Sequence, residues 1–393
     1  MTALKSSNPN DGLLAGPTLD PLRQRKASRY ARTRRYLSLA DLVLVGIPLL
    51  LLVFGGLSQR LTGAFTLPTV PAAVLYFVIL VAAYGVLSAP LSYYGGFVLP
   101  RRYGLSTQSV SGWLGDLLKA GVLAVALAAG VIAAGYWFIT VAPQLWWLLS
   151  WGFVVLVSLV LSVLAPVVIV PIFFRMTPLA DTEIRKRLEQ LAERAGIGVG
   201  GIYTLDFSSK GTMANAALMG VGKTMRIVLS DTLLKQYSTP EIEVIMAHEL
   251  GHRRHNDIFR LFTLQSAVLL VGFFITGLAL KASIVPLGFS GVSDVAALPL
   301  LILVLGTFSL LVTPLANSYS RNLEAAADGY SLRLTDDPTS FVGAMTRLTD
   351  QNLAEAQPGR WVERLLYDHP SYSSRVEHAS YYAAHRRDKR AEP

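Results

Sequence analysis

Six stretches of this chain are long and apolar enough to cross a lipid bilayer, and they limit its possible folds more than any other feature. A transmembrane helix needs about 20 mostly apolar residues to span a hydrocarbon core of about 30 Å. Only 16% of the residues are charged, whereas soluble proteins carry about 25%. The sequence therefore predicts a mainly α-helical, polytopic membrane protein. The six stretches are residues 39–57, 70–91, 117–141, 145–174, 262–280 and 296–315.

The basic residues lie almost entirely on one side of a six-helix arrangement whose N-terminus is inside the cell. The three outer connections contain only Arg60 and Lys281, which leaves 33 of the 35 lysines and arginines on the inner side or at the helix ends there. Cytoplasmic connections carry such an excess of positive charge. We therefore expect both termini and the polar segment 175–258 to be cytoplasmic. We attribute the basic charge of residues 1–36 to topology and to attraction to anionic lipid, and expect no binding of nucleic acid.

Hydropathy divides the chain into five segments. In the longest polar segment, short β-branched or aromatic pieces at 201–207, 213–219 and 225–230 are typical of a small antiparallel sheet. In the fourth apolar stretch, Pro166 and Pro171 are expected to kink the helix. The segments are a basic arm (1–36), four transmembrane helices (37–174), a cytoplasmic segment of helices and strands (175–258), two transmembrane helices (259–317) and a cytoplasmic C-terminal segment (318–393).

The strongest chemical signal is the sequence His-Glu-Leu-Gly-His at residues 248–252. It lies in a predicted helix that begins near Pro240 and is expected to run to about Asp257. Because His248 and His252 are one helical turn apart, both imidazoles can bind one metal ion, and Glu249 is placed to act as a general base. The chain has no cysteine, so the remaining ligands must also be His, Asp or Glu.

A catalytic zinc site needs a third protein ligand and an open position for water. One candidate is His255, and the others follow the last apolar stretch, where Glu324 and Asp328 share one face of a predicted helix. We expect Glu324 to bind the metal and Asp328 to accept a hydrogen bond from the second ring nitrogen of a ligand histidine. His255 is expected to be a neighbour of the site.

Taken in order, several motifs resemble those of the type I CAAX prenyl endopeptidases, the integral-membrane zinc metalloproteases of the gluzincin group. The resemblance extends from about residue 94 to residue 375. Its motifs are RYGLSTQS (102–109), PIFFRMTPL (171–179), SSKGTMANA (208–216), RIVLSDTLL (226–234), HELGH (248–252), SRNLEAAAD (320–328) and HPSYSSR (369–375).

The resemblance implies about six, or as in the eukaryotic members seven, transmembrane helices around a water-filled chamber. A zincin-like α+β metalloprotease domain would close the cytoplasmic side. It also implies one zinc ion per chain and a role for each motif residue. His248, His252 and Glu324 would bind the metal and Glu249 would be the base, Asn215 and Ala216 would hold the substrate backbone by strand addition, and His369 and Arg375 would lie across the zinc near the oxyanion or the substrate carboxylate.

We therefore predict a zinc metalloendopeptidase that hydrolyses peptide bonds in or near the membrane, with water as the nucleophile. Its substrates would be peptides or membrane-associated proteins, with or without a prenyl group, in a prokaryotic plasma membrane. Whether Arg375 binds a terminal carboxylate or the peptide backbone is open. Two alternatives are a quality-control metalloprotease of the heat-shock type and, from another class, a transporter or scaffold with a degenerate metal site.

Overall fold

The computed structural model describes residues 17–220, 222 and 225–391, so the first sixteen residues of the predicted arm lie outside the described residues. The helices are α1 (Pro21–Phe54), α2 (Leu57–Thr62), α3 (Thr69–Tyr93), α4 (Leu99–Arg102), α5 (Val110–Val141), α6 (Trp146–Leu164), α7 (Val170–Phe173), α8 (Thr182–Arg194), α9 (Asp231–Gln236), α10 (Thr239–Arg254), α11 (Asp257–Ser283), α12 (Leu298–Thr335), α13 (Pro338–Gln351), α14 (Arg360–Leu366) and α15 (Tyr372–Ala391). The strands are β1 (Met176–Pro178), β2 (Ile202–Leu205), β3 (Ala216–Met219) and β4 (Arg226–Ser230).

Six helical segments of the described residues are long and apolar enough to cross a membrane, as the sequence predicts. Each packs against two neighbours in the order α1, α3, α5, α6, α11 and α12, and α12 packs against α1. This closed ring surrounds the predicted chamber. The segments are Pro21–Phe54, Thr69–Arg102, Val110–Val141, Trp146–Phe173, Asp257–Ser283 and Val295–Thr335.

The first membrane helix contains much of the segment that the sequence indicated as a separate arm. Asp20 caps its N-terminus by accepting a hydrogen bond from the backbone N–H of Leu22 at 2.8 Å, and Pro21 occupies the first turn, where it needs no donor. The residues that follow are rich in arginine, which favours helix. The basic segment and the first span therefore form one helix.

Two of the membrane helices contain a π-helical turn beside a proline. The turn Tyr94–Val98 joins α3 to α4, and the turn Ala165–Ile169 joins α6 to α7. Proline has no N–H to donate and its ring crowds the carbonyl group four residues earlier, so the helix widens locally. The expected kink at Pro166 and Pro171 coincides with the second of these turns.

The sheet has the strand order β1-β2-β4-β3, and it is mixed where an antiparallel sheet was predicted. Strands β2 and β4 pair in parallel, whereas β1–β2 and β3–β4 are antiparallel. The prediction was wrong because it assumed that consecutive strands form hairpins. Between β2 and β3 the chain instead runs outward to pair with the loop before α5, where Ser106 and Gly211 form a bridge. Strand β3 pairs with β4 alone and lies at an edge of the sheet.

The helix that carries the His-Glu-Leu-Gly-His sequence is fixed at its start and along its length. Ser238 and Glu241 form a capping box, in which the Glu241 carboxylate accepts a hydrogen bond from the Ser238 N–H at 2.8 Å. Pro240 lies in the first turn. The buried side chains of Met246 and Leu250 pack into the hydrophobic core between the sheet and α13. The polar face of the same helix is thereby directed towards α12.

Helices α10 and α12 cross at Gly251, where the backbones approach closely. A Cβ atom at this position would lie 3.1 Å from Cα of Ala327 and 3.2 Å from Cβ of Tyr330. Nearby, Ser331 donates a hydrogen bond to the carbonyl oxygen of Val244 at 2.7 Å. A small residue is therefore needed here for the two helices to bring their polar side chains together.

We predict that Gly251→Ala destabilises this crossing by about 1–3 kcal/mol, as overpacking in a close-packed interior does. The helices must separate by a few tenths of an ångström, which moves two adjacent histidines away from α12. Thermal unfolding in detergent should show a lower midpoint, and zinc titration should show weaker binding. Gly306→Ala is a matched control, since nothing lies within 4 Å of the added Cβ there. Equal midpoints and affinities for the two variants would contradict the prediction.

Candidate active site

Three potential metal ligands converge at the crossing of α10 and α12. The Nε2 atoms of His248 and His252 lie 3.1 Å apart. Each is also 3.3 Å from a carboxylate oxygen of Glu324. Within the described residues, this is the group of three that is able to hold a metal ion, with all ligand atoms within 4.8 Å of one another. The residues that the sequence analysis selected as ligands are thus brought together by the fold.

The outer nitrogen of each histidine contacts a buried carboxylate. His248 Nδ1 is 2.9 Å from Asp328 Oδ1, and His252 Nδ1 is 3.0 Å from Asp257 Oδ2. An ionised carboxylate can only accept a hydrogen bond, so both Nδ1 atoms must donate. In the neutral form of each ring, which metal binding requires, the Nε2 atom then carries a lone pair directed into the space between the histidines and Glu324.

This donor set fits a tetrahedrally bound metal. With both rings neutral, lone pairs meet here with no proton between them, and Glu324 Oε2 is buried with no hydrogen-bond partner. Zinc bonds of 2.0–2.1 Å place neighbouring ligand atoms of a tetrahedron roughly 3.3 Å apart, which is close to the separations of 3.1 and 3.3 Å found here. Three protein ligands also leave a fourth position open, as catalytic zinc sites require.

The charges around the site favour a cation. Burial lowers the pKa of His248, but its hydrogen bond with Asp328 and the nearby Glu324 carboxylate outweigh that effect and raise the pKa to about 9. Burial raises the pKa of Glu249 above its ordinary value. The carboxylates of Asp328 and Glu324 therefore favour positive charge at His248. A metal ion would compete with a proton for its Nε2 atom.

Asp257 is a residue of this site that the sequence analysis missed. The helix α10 was expected to run to about Asp257, but it ends at Arg254 because Asn256 adopts a left-handed conformation with φ of 56°. The chain turns there, and α11 begins at Asp257 with the carboxylate directed back to His252. Only the turn brings the two residues together. An acidic residue five positions after the second histidine was the available signal.

We predict that Asp257→Ala weakens zinc binding about 10–100-fold, the usual effect of losing the carboxylate behind a ligand histidine. His252 would lose the acceptor that fixes its tautomer. Asp257→Asn keeps a neutral acceptor, so its zinc affinity should lie between that of Asp257→Ala and that of the wild type. Competition with a fluorescent chelator measures these affinities. An affinity of the Ala variant equal to that of the wild type would show that the hydrogen bond has no role in metal binding.

His248, His252 and Glu324 line a cleft of about 600 Å³. Glu249 lines it beside the ligands. Residues 214–216 form one wall, and the segment from Tyr367 to Tyr372 forms the other. Glu249 therefore lines the same cleft as His248, His252 and Glu324.

The wall at 214–216 leads into the edge strand β3. Asn215 is exposed, and Ala216 starts the strand. Asn352 holds this wall in place, because its side chain accepts a hydrogen bond from the Ala214 N–H at 3.0 Å and donates one to the Ala214 carbonyl oxygen at 3.2 Å. The sequence analysis did not find Asn352. Nothing in the sequence indicates that it contacts Ala214, which lies 138 positions earlier.

His369 and Arg375 both line the cleft, but they lie in different surroundings. Nε2 of His369 is 3.4 Å from Glu324 Oε1, and its side chain is 56% exposed. A hydrogen bond with Asp368 raises the pKa of His369. Arg375 instead lies behind His248, with its Nε donating to Asp328 Oδ2 at 2.8 Å and a second nitrogen donating to Oδ1.

His255 does not belong to this group. Its ring packs edge-on against Tyr330, with the ring centroids 5.7 Å apart, and its Nδ1 is buried without a hydrogen-bond partner. The position agrees with the expectation that it is a neighbour of the site.

Two family models together match almost the whole chain. The first is described as CAAX prenyl protease N-terminal, five membrane helices, and matches residues 16–175, where the described residues form four long membrane segments and the short α2. The second, peptidase family M48, matches residues 178–383. The chain belongs to peptidase family M48. The predicted resemblance to the CAAX prenyl endopeptidases is confirmed, and membership of M48 implies a bound metal, typically zinc.

Several known proteins are similar to this M48 member. An uncharacterized metalloprotease of Bacillus subtilis, YhfN, is 29% identical to this chain. The alignment covers 93% of this chain and 88% of YhfN. CAAX prenyl protease 1 of Saccharomyces cerevisiae is 37% identical over 175 residues, which are 43% of this chain and 38% of that protein. The crystal structure of S. mikatae Ste24p has the same fold, with a TM-score of 0.81 at 23% identity, and the match covers 94% of this chain and 93% of that one.

Proposed function

We propose that this protein is a zinc-dependent endopeptidase that cleaves peptide bonds at a site enclosed by its ring of membrane helices. The observation that carries the proposal is the convergence of His248, His252 and Glu324, with Glu249 beside them on the open side of the cleft. An intact arrangement of this kind argues against a transporter or scaffold with a degenerate metal site.

The residues of the cleft can supply the metal site and the general base that peptide hydrolysis requires. When bound, zinc would polarise the scissile carbonyl group and make water acidic enough to react near neutral pH. Glu249 would accept the proton of the attacking water and pass it to the leaving amine. The raised pKa of Glu249, which results from burial, brings a carboxylate closer to the neutral range in which such a transfer is efficient.

His369 is the side chain best placed to stabilise the developing oxyanion. Its Nε2 lies 3.4 Å from Glu324 Oε1, and its hydrogen bond with Asp368 favours the protonated, donating form. Arg375 would contribute through Asp328 and His248, as a positioning residue. The substrate backbone would add to the edge strand at Asn215 and Ala216, which gives binding by main-chain hydrogen bonds.

We propose that the site faces the cytoplasm of a prokaryotic cell and that the protein spans its plasma membrane. This proposal depends on the excess of basic residues on one side of the membrane helices. Its substrates would be peptides or membrane-associated proteins, with or without a prenyl group. Relatives named CAAX prenyl proteases support that substrate class, and a role in the quality control of membrane proteins agrees equally with the cleft.

The proposal is tested by removing and restoring the metal. Detergent-purified protein should contain close to one zinc ion per chain and should hydrolyse unstructured peptide substrates. Treatment with a chelator should abolish hydrolysis, and one equivalent of zinc should restore it. Hydrolysis that persists in protein shown by elemental analysis to contain no metal would overturn the proposal.

A further inference from the structure

The start of α1 (residues 20–35) contacts a turn whose side chains reach both walls of the cleft. The turn runs from Asp350, near the end of α13, to Ala356. The Asp20 N–H donates to Asp350 Oδ2 at 2.8 Å, and Gln24 Nε2 donates to Asp350 Oδ1 at 2.8 Å. The side-chain oxygen of Gln24 also accepts a hydrogen bond from the Ala356 N–H at 3.1 Å. One glutamine therefore joins both ends of the turn to α1.

The backbone of the turn adopts a conformation that needs support from its surroundings. Leu353 has a φ of 49°, in the left-handed region where residues other than glycine are disfavoured. Its side chain is buried in a cluster with Ala27 of α1 and Leu105, and the rings of Tyr30 and Tyr103 pack against this cluster. A strained backbone persists where the surrounding structure over-determines it. The packing of α1 on Leu353 therefore helps to fix the turn.

Two side chains of the turn hold the wall that leads into β3. Gln351 donates to the carbonyl oxygen of Thr212 at 2.6 Å and accepts a hydrogen bond from the Tyr237 hydroxyl at 2.9 Å. Asn352 pairs with both backbone groups of Ala214. A shift of the turn would therefore also shift the backbone to which the substrate is proposed to add.

The turn and α1 also hold the opposite wall. The Glu355 carboxylate accepts hydrogen bonds from Arg35 of α1 at 2.6 Å and from the Tyr367 hydroxyl at 2.9 Å. Because the Glu355 side chain is only 10% exposed, leaving its charge without a partner would be costly. Tyr367 begins this wall, and His369, the proposed oxyanion donor, follows two residues later. The ion pair thus fixes the start of the wall that carries His369.

A different set of contacts holds the metal ligands. His248 and His252 lie on α10 and Glu324 lies on α12. The two histidines are oriented by Asp328 of α12 and by Asp257 at the start of α11. Loss of the contacts between α1 and the turn should therefore disturb the walls of the cleft more than the metal site.

We propose that the start of α1 positions both walls of the cleft, and that Gln24 and Arg35 are positioning residues for catalysis although neither lines the cleft. This inference rests on the proposed peptidase function and deepens it. It gives the basic segment a role in addition to topology. Hydrolysis requires a substrate held in a defined geometry, and a displacement of about 1 Å caused by a distant change can reduce the rate about a hundredfold.

Gln24→Ala removes both side-chain hydrogen bonds between this residue and the turn. Its kcat/KM for the unstructured peptides that the wild type hydrolyses should fall about tenfold, because the walls lose their alignment. Its zinc affinity should stay within about twofold of the wild type, as expected for a distant and independent site. Arg25→Ala is the matched control, since Arg25 is exposed on the same helix, and should change neither quantity. Equal kcat/KM values for Gln24→Ala and Arg25→Ala would overturn the inference.

A double-mutant cycle separates positioning from a general loss of stability. Asn352→Ala releases the wall at Ala214 directly. In that background Gln24→Ala should lower kcat/KM by only about threefold or less, because residues that act through one network are not additive. All variants are compared at a temperature well below their unfolding midpoints. A full tenfold loss in the Asn352→Ala background would show that α1 acts elsewhere and would overturn the inference.

Hydrogen exchange tests the same inference without requiring hydrolysis. In Gln24→Ala the amides of residues 212–216 should exchange about fivefold faster, roughly the factor for loss of one hydrogen bond. Asp350→Ala, which breaks the contact from the side of the turn, should have the same effect. The amides of residues 244–252 on α10 should exchange at the wild-type rate, which distinguishes movement of the wall from global unfolding. Unchanged exchange at 212–216 in both variants would contradict the inference.

The peptidase function and the role of α1 can fail separately. Absence of hydrolysis by the wild type, together with the expected exchange pattern, would contradict the proposed function and support the positioning of the walls by α1. Hydrolysis at the wild-type rate by both Gln24→Ala and Asp350→Ala would contradict the inference alone.

Discussion

Glu249→Gln is expected to reduce kcat/KM for peptide hydrolysis by about 10²–10⁴-fold while zinc content stays close to one ion per chain. Gln has nearly the same shape as Glu but cannot accept a proton, and positioned general bases contribute a factor of this size. Glu249 is not one of the three side chains that converge as potential ligands, so metal binding should survive. Elemental analysis and steady-state kinetics on the same preparation measure both quantities.

Glu243→Gln is the matched control for this experiment. Glu243 lies on the same helix, but its carboxylate is 3.4 Å from Arg187 and does not line the cleft. Its replacement should leave both zinc content and kcat/KM within about twofold of the wild type. Full activity of Glu249→Gln would contradict the assignment of the base. Loss of zinc together with activity would instead assign a structural role to Glu249.

Glu324→Gln is expected to weaken zinc binding by at least about a hundredfold, which exceeds the 10–100-fold effect of losing a residue behind a ligand. The amide is a poor ligand for zinc, and its NH₂ group would direct hydrogen atoms at His248 and His252. Activity should disappear at zinc concentrations that saturate the wild type. Affinities from chelator competition, with activity measured across the same zinc concentrations, give both results.

His255→Gln helps to decide which of the candidate residues, Glu324, His255 or Asp328, is the third ligand. Because His255 packs against Tyr330 and lies outside the convergent group, its replacement should leave zinc affinity unchanged. An unchanged affinity in Glu324→Gln would refute the assignment. A loss of more than about a hundredfold in His255→Gln would then identify His255 as the third ligand. A loss of that size in Asp328→Asn, beyond the 10–100-fold effect of a residue behind a ligand, would identify Asp328.

Much of the fold could be predicted because its signals are local. Crossing a bilayer requires a long apolar run, so the six membrane helices can be read from hydropathy alone. The spacing of His248 and His252, and that of Glu324 and Asp328, follows the pitch of a helix. The contacts of all four side chains agree with that spacing.

The features that the sequence did not reveal depend on contacts between distant parts of the chain. Asp257 reaches His252 only because Asn256 adopts a left-handed conformation. Asn352 contacts Ala214, and Arg35 contacts Glu355, over separations of 138 and 320 residues. No periodicity marks such pairs. The parallel pairing of β2 with β4 also depends on where the irregular connection between β2 and β3 packs. The strand propensities of individual residues do not determine that position.

The continuity of α12 has a consequence for how the protein responds to its lipid environment. This single helix of 38 residues is about 57 Å long, and it contains both a lipid-facing segment and Glu324. A helix adjusts to bilayer thickness by tilting, and a tilt of about 10° moves a point about 25 Å from the pivot by about 4 Å. A change in acyl-chain length is therefore expected to displace the part of α12 that carries Glu324. A contiguous fragment that contains His248, His252 and Glu324 also contains α11 and the apolar part of α12, so these three side chains cannot be isolated together without membrane helices.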